Sequence, residues 1–429
     1  MNSQPLRFDA LASSGAHIML LGGIALGAGF IQGSSVAIAL GLALVIVPLC
    51  SLMFLRRSVR SLRLRQVAPD CAVEGEWVEV QISLENTGRW PVFHPRLCEI
   101  FSPEHGDLKD VVLASRVSAH ETVTASYRGH CLGPRGLYDY GPTALRLSDP
   151  FGWFEIRQFL ASGNRLKVYP RFALGNDGDR LGRERARFLE EVLQSTVGHS
   201  SEFFGVRDYR PGDSRRQVHW PLSARRGTLV VRETMREQSG EIILVLDRRP
   251  ASNARGGTNS SFERSIRLVA SIAARALKNG RRPALVVGLE APLRPLGNRS
   301  ALSHFLDELV LVRADGRTGL DQTLDHLAQG LTGHPSVFVV IHRHALTEPA
   351  VCRSLAALSA RGATPCALVM LPHPQTKDSD FEPDLRAFLG NLQARGTAHQ
   401  LVPHALVRSY FDDDDHPEPD DGDSAESQA

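Results

Sequence analysis

The side chains best suited to recognition crowd into one passage of the chain, residues 202–233. It reads Glu202-Phe-Phe-Gly-Val-Arg207-Asp208-Tyr209-Arg210-Pro211-Gly212-Asp213-Ser214-Arg215-Arg216-Gln217-Val218-His219-Trp220-Pro221-Leu222-Ser223-Ala224-Arg225-Arg226-Gly227. Between 204 and 232 there are seven arginines against two aspartates. Guanidinium forks suit phosphate, nucleic-acid or carboxylate partners, and aromatics interleave with them as on a strand-binding surface. Pro211-Gly212-Asp213 reads as a tight turn, and Gly227 as a second turn before a strand-like stretch at 228–232. Three readings stay open from the residues: local pairing of Asp208 and Asp213 with arginines around a small aromatic core, a docking surface for a protein, and direct contact with nucleotide or nucleic acid. No strand–GxxxxGK[ST]–helix loop occurs, which argues against a P-loop ATPase.

A second candidate is Asp247. It closes the apolar run Glu241-Ile-Ile-Leu-Val-Leu246, and an acid at the end of a buried parallel strand stands where α/β sheets bind ligands. Arg248 and Arg249 follow it directly, so capping of a helix or pairing with one of them is the alternative to ligand binding. His342 and His344 end another apolar run. They invite a metal or general-base reading, but no acid accompanies them, and strand-end histidines are more often simply hydrogen-bonded. Ser223 sits among arginines without a G-x-S-x-G context, and no Ser-His-Asp or Cys-His arrangement stands out. We therefore expect no catalytic residue, no metal and no cofactor, and take the chain as a non-enzyme.

These residues need elements to hold them. Residues 236–408 alternate strand-like runs (241–246, 284–288, 336–341, 367–371, 398–403) with helical stretches (300–311, 319–330, 349–361, 383–395). Ser260-x-x-Glu263 is a capping box that opens a helix, with Phe262, Ile266, Val269, Ala273 and Ala276 on one face and Gly280 at its end. That alternation implies a parallel sheet covered on both faces. Upstream, residues 60–170 read as an antiparallel β-sandwich: Trp77–Glu85 alternates strictly, and strand-like runs recur at 111–113, 122–127, 137–140, 144–147, 153–156 and 166–169, most of them separated by turn residues. Residues 171–235 form a linker, helical over about 180–194, followed by the arginine-rich passage.

From Ala10 to Leu55 no residue carries a formal charge. A single helix over 18–55 would run to roughly 57 Å, against a hydrocarbon core of about 30 Å. Two spans, 11–31 and 36–55, with a turn at Gln32-Gly33-Ser34-Ser35, fit better. The apolar region is too long for a signal peptide. Arg56, Arg57, Arg60, Arg63 and Arg65 follow the second span, which by the positive-inside rule places the termini and soluble parts in the cytoplasm, on the inner membrane. Gly23-x-x-x-Gly27 is read as packing within this hairpin, ahead of dimerisation.

Six cysteines in 429 residues, without CxxC spacing, make neither a disulfide scaffold nor a zinc module. The net charge of +2 conceals an uneven balance. Residues 411–429 hold nine acids and no Lys or Arg, leaving the rest at +11. That tail, counted from 409, is expected to be disordered.

The order Arg207-x-Tyr209-x-x-Gly212-Asp213-x-x-Arg216-x-x-His219-Trp220, then Ser223-Ala224-Arg225, closely resembles the signature of the "domain of unknown function 58" family. Arg135-Gly136, Asp149-Pro150-Phe151-Gly152 and the amino-terminal hairpin extend the resemblance; Pro221 departs from it, where members commonly carry a basic residue. The resemblance implies a multidomain chain: a two-helix transmembrane hairpin (1–59), a β-sandwich (60–170) and an α/β von Willebrand A-like, Rossmann-type domain (236–408). That fold often binds Mg²⁺ through Asp-x-Ser-x-Ser; here Asp247-Arg248-Arg249-Pro250-Ala251 keeps the acid and loses both serines. The resemblance further implies a membrane scaffold or adaptor that partners a MoxR-type AAA+ ATPase and a transglutaminase-like membrane protein. Arg207, Tyr209, Asp213, Arg216, His219, Trp220, Arg225 and Asp247 are then the candidate contacts. An anionic-ligand or nucleic-acid binder, or an enzyme with an unrecognised site, is the alternative.

Overall fold

The uncharged stretch near the amino terminus folds as two helices, in which the backbone closes its hydrogen bonds within each segment. The computed structural model describes residues 13–104, 107–139, 143–160, 165–172, 180–195, 203–208, 218–234, 240–252, 260–290, 292, 301–372 and 380–407. Helices α1 (Ser13–Gln32) and α2 (Ser35–Val59) are each long and apolar enough to cross a membrane. Gly33 turns the chain at φ 67°, and the Ser34 hydroxyl caps α2 by accepting from the Ala37 amide. α2 runs past Leu55 and takes Arg56 and Arg57 into its last turn, where cations offset the helix dipole. The seam between the helices is made by Gly22, Gly29 and Gly41. A Cβ on Gly41 would lie 2.6 Å from the Leu26 amide nitrogen, and one on Gly29 2.8 Å from that of Ile38. Gly23 and Gly27 face open space, so the expectation that they pack within the hairpin is corrected.

The chain divides into two compact units, 1–169 and 170–429, and the hairpin belongs to the first, with the strands that follow it. Those strands are β1 (Leu62–Val67), β2 (Cys71–Val73), β3 (Trp77–Asn86), β4 (Val92–Phe101), β5 (Asp107–Val112), β6 (Arg116–Val117), β7 (Thr122–His130), β8 (Gly136–Asp139), β9 (Thr143–Ser148), β10 (Glu155–Leu160) and β11 (Arg165–Tyr169). They form three sheets, ordered β1-β3-β7, β10-β9-β4-β5 with β6 on β4, and β2-β11-β8. Pairing is antiparallel except between β2 and β11, a departure from the wholly antiparallel expectation. Alternation on β3 points Val78, Val80, Ile82 and Leu84 inward. There they share one core with Leu97, Leu145, Leu147 and Ile156 from the second sheet and with Leu55 and Val59 from α2.

One turn ties the helices to this core. The Asp149 carboxylate, wholly buried, accepts hydrogen bonds from the Phe154 amide at 2.7 Å, the Phe151 amide at 3.3 Å and the Ser51 hydroxyl of α2 at 2.7 Å. Gly152 completes the turn at φ 69°, a conformation that costs a side-chain-bearing residue more than glycine. The Asp-Pro-Phe-Gly motif thus has a structural role.

In the second unit, α3 (Arg180–Ser195) precedes an antiparallel pair, β12 (Phe203–Asp208) and β13 (Val230–Thr234), with α4 (Trp220–Arg226) between them. Then come β14 (Glu241–Leu246), α5 (Ser261–Lys278), β15 (Arg282–Val287), α6 (Ala301–Leu311), α7 (Leu320–Gly330), β16 (Ser336–Ile341), α8 (Pro349–Ala360), β17 (Thr364–Met370), α9 (Phe381–Ala394) and β18 (Ala398–Val402). The five strands form one all-parallel sheet ordered β15-β14-β16-β17-β18. Ile243, Val245, Val337, Val339 and Val369 face α7, α8 and α9 in one core. The alternate residues Ile242, Leu244, Phe338 and Leu368 are as deeply buried on the opposite face. The Ser260 hydroxyl accepts from the Glu263 amide at 3.2 Å, as the capping box requires.

Replacing Asp149 by Ala should strand two backbone donors and the Ser51 hydroxyl. We expect a loss of about 2–3 kcal/mol, read as a lower unfolding midpoint of the detergent-solubilised chain, against about 1 kcal/mol for Ser51→Ala.

Candidate functional site

In a parallel sheet the carboxyl ends of two neighbouring strands part where their connections leave in opposite directions, and ligands commonly enter there. β14 leads to β15 on one side and β16 leads to β17 on the other, so the crevice opens between the ends of β14 and β16. Asp247 follows β14, and His342 follows β16. A 3-10 turn (Arg343–Thr347) then carries His344 back across, and Glu348 precedes α8.

Asp247 is 2% exposed, and its carboxylate is surrounded by donors. The Arg249 amide gives to Oδ1 at 2.9 Å; the Arg249 guanidinium reaches Oδ1 at 3.2 Å through Nε and Oδ2 at 2.8 Å through Nη2. His344 Nε2 lies 2.9 Å from Oδ2. The same guanidinium donates to Glu348 Oε1 at 2.8 Å and Oε2 at 3.1 Å. One arginine therefore bridges two carboxylates, the forked geometry in which charge-assisted bonds are strongest. Burial by itself pushes the Asp247 carboxyl up, but the bonds from His344 and Arg249, with the Arg249 charge, outweigh it and hold it at about 2. Burial opposes the Arg249 charge, and its bonds to Glu348 and Asp247 more than restore it.

His342 lies beneath this network at 3% exposure, with Nε2 3.2 Å from the Ser265 hydroxyl. Burial, reinforced by the His344 charge, pushes the imidazole down to about 3, so it is neutral in the folded chain at neutral pH. A buried Ser–His contact lacks the access a nucleophile needs. Nor does the arrangement fit a hard cation, which requires oxygen ligands with lone pairs to spare. Arg249 stands at the first lost serine of the Asp-x-Ser-x-Ser pattern, and its guanidinium occupies the carboxylate face that a cation would need. Among the described residues, no group of three or more His, Cys, Asp or Glu side chains is placed to hold a metal ion. Arg248, next in sequence, turns away to pair with Asp315 and borders a 300 Å³ pocket with Val287–Glu290 and Gly316–Thr318.

The arginine-rich passage separates into two kinds of residue. His219 is the N-cap of α4: its Nδ1 accepts from the Leu222 amide at 3.3 Å, and its backbone amide donates to the Val230 carbonyl at 2.8 Å. The Ser223 hydroxyl accepts from the Val230 amide at 2.9 Å and donates to the His219 carbonyl at 3.0 Å, clamping α4 to β13. Gly227 ends the helix at φ 70°. Trp220, by contrast, is 62% exposed, which removes it from the local aromatic core that was one reading of this passage. Arg225 and Arg226 are exposed on the same short helix. Arg207 lies in β12, its backbone opposite Val231. Tyr209, Asp213 and Arg216 lie outside the described residues, as do the Pro211-Gly212-Asp213 turn and the acidic tail. Sequence reasoning missed Glu348 as a site residue. Its one local signal is a carboxylate just before Pro349 at a helix start.

Residues 205–369 match the family model described as "Protein of unknown function DUF58", which bears out the resemblance over that stretch. "Uncharacterized protein YeaD" of Bacillus subtilis (strain 168) is 28% identical over 209 residues, 48% of this chain and 48% of its own, so the chain spans about half the length of that curated relative. Among solved structures, the CARDB domain of PF1109 from Pyrococcus furiosus aligns at 15% identity over 25% of this chain and 94% of its own, with a TM-score of 0.18. Proximal thread matrix protein 1 from the mussel byssus aligns at 15% identity over 34% of this chain and 41% of its own, with a TM-score of 0.25.

Arg249→Met should leave the buried Asp247 with only the His344 ring and the residue-249 backbone amide as donors, at a cost of about 3 kcal/mol. Because His342 binds its proton less readily folded than unfolded, the folded chain should lose stability as pH falls below about 6.5, by up to about 1.4 kcal/mol per unit. The Asp247 contribution has the other window, persisting down to the unfolded carboxylate range near 3.8 and fading toward 2. Denaturant titrations at about pH 7 and 5 should show a smaller acid loss in His342→Gln than in the parent; equal losses would assign the effect elsewhere.

Proposed function

We propose, from the premise that residues 205–369 carry the domain of unknown function 58, that this chain is a membrane-anchored scaffold or adaptor with its soluble parts facing the cytoplasm. The observation that carries this reading is the contrast between the two candidate sites. The crevice at Asp247 is saturated by the chain's own charges, while Trp220, Arg225 and Arg226 stand exposed on a helix whose backbone is pinned by His219 and Ser223. Exposed Trp and Arg on a rigid mount are the residue types that dominate protein–protein binding energy. The two apolar helices support the anchor, and the arginines after the second support the cytoplasmic orientation. The family resemblance supports a von Willebrand A-like reading of residues 236–408, and a MoxR-type AAA+ ATPase with a transglutaminase-like membrane protein as partners. The sheet rim at Asp247 would then serve as shape rather than as chemistry.

Arg225 beside Arg226 also favours a second reading, a binder of anionic ligands or nucleic acid. Salt dependence separates the two, since counterion release makes phosphate-backbone binding collapse between about 50 and 200 mM salt.

Affinity capture with the detergent-solubilised full chain, with and without ATP, tests the reading. We expect a nucleotide-dependent AAA+ ATPase in the eluate, and its recovery to fall about tenfold or more with Trp220→Ala combined with Arg225→Ala, at an unchanged unfolding midpoint. Unchanged recovery would remove α4 as the contact. Loss of capture only through unfolding would make the passage structural.

A further inference from the structure

At the end of α2 the surface changes character within a single turn. Large apolar side chains are exposed along both helices, among them Leu20, Ile24, Phe30, Ile31 and Leu40, and this continues to Met53 at 64% exposure. Arg56, Arg57 and Arg60 then follow, all exposed. Met53, Arg56, Arg57 and Arg60 recur at helical spacing, so they share one face. A pocket of 410 Å³ opens on that face, lined by Met53, Phe54, Arg56, Arg57, Arg60 and Trp90. Trp90 comes from the turn between β3 and β4 and meets Phe54 edge-on, with ring centroids 5.8 Å apart. Trp90 is 52% exposed. The pocket therefore has an apolar floor, an aromatic wall and three guanidinium groups, and no carboxylate lines it. Among the described residues no acid pairs with Arg57 or Arg60.

A second aromatic pair is tied to the same half of α2. Phe151 stacks on Trp153 at 4.5 Å and is 60% exposed. Their turn is bonded through Asp149 to Ser51, which lies about 7.5 Å along the helix axis from Arg56. Tryptophan and its aromatic neighbours favour the zone where hydrocarbon gives way to headgroups, and arginines there reach toward phosphate.

We infer that the pocket between Trp90 and Arg56, Arg57 and Arg60 is a binding site for the phosphate headgroup of an anionic membrane phospholipid. The inference rests on the reading of the hairpin as membrane-embedded. Guanidinium forks take the phosphate oxygens in paired, charge-assisted bonds. The floor of Met53 and Phe54 continues into the exposed apolar helix surface, which would receive the acyl chains. A soluble phosphate would match the arginines but leave that apolar continuation unused.

The test is native mass spectrometry of the full-length chain in detergent, with added phosphatidylglycerol, phosphatidylcholine or inorganic phosphate. Phosphatidylglycerol should be retained in preference to phosphatidylcholine, and Arg57→Gln combined with Arg60→Gln should reduce its retention about tenfold or more, as expected for losing two charge-assisted contacts. Arg63→Gln with Arg65→Gln removes the same charge from the exposed edge of β1, outside the pocket, and should change retention less than twofold. Equal losses in the two double variants would replace the site with a diffuse basic patch and overturn the inference. So would retention unaffected by Arg57 and Arg60, or displacement of the lipid by millimolar inorganic phosphate. Alkaline carbonate extraction of cell membranes separates this from the anchoring reading. A chain that stays with the membrane but fails the lipid test loses only the site, whereas a chain released by carbonate loses the anchor as well.

Discussion

A carboxylate removed from water loses several kcal/mol of solvation unless charged donors replace the water, and Asp247 is 2% exposed at the end of a central strand. The surroundings of that group are arranged to meet this requirement. Arg249 folds back from two residues further on, His344 returns from the strand beside it, and Glu348 holds the far side of the guanidinium. His342 remains neutral below them because burial, reinforced by the positive charges nearby, disfavours its protonation. A crevice that the sheet's topology would otherwise open to ligands is thereby filled with the chain's own ion pairs. Arg248 pairs in a different direction, with Asp315, so the two consecutive arginines serve three carboxylates between them.

The first unit solves a different problem. Two helices with exposed apolar faces need a fixed relation to the strands that follow them. Leu55 and Val59 achieve part of this by entering the β core, and Asp149 the rest by accepting from Ser51 while closing its own turn. The helix end and the β sheets therefore form one piece, and the position of Trp90 beside the last turn of α2 follows from that attachment. Such a unit can hold a pocket whose walls come from two different elements.

Much of the architecture was legible along the chain. β14 and β16 are continuous apolar runs, and β3 alternates strictly, because strands buried on two faces and on one face impose those patterns on their side chains. The capping box at Ser260 and Glu263 opened α5 as read. β4 escaped notice, although it pairs with three other strands. His94 takes φ 48° ahead of Pro95, the register shifts between Phe93 and Arg96, and Glu99 is buried with bonds from Gln66 and Tyr127. A kinked strand that carries a buried acid has no simple period to recognise.

By itself the sequence determined most of the elements and flagged Asp247, the arginine-rich passage and the apolar hairpin, because periodicity, charge and turn chemistry act over a few residues. Only the tertiary structure decided what those residues do. Arg249 bridges Asp247 and Glu348 across a separation of about a hundred residues, since both acids stand at the rim of a parallel sheet whose crossovers are long. His219 and Ser223 became helix anchors and Trp220 an exposed side chain because a helix of seven residues has one face against β13 and the other in solvent. Gly22, Gly29 and Gly41, rather than Gly23 and Gly27, formed the hairpin seam because the rotation of one helix against the other depends on packing along its whole length.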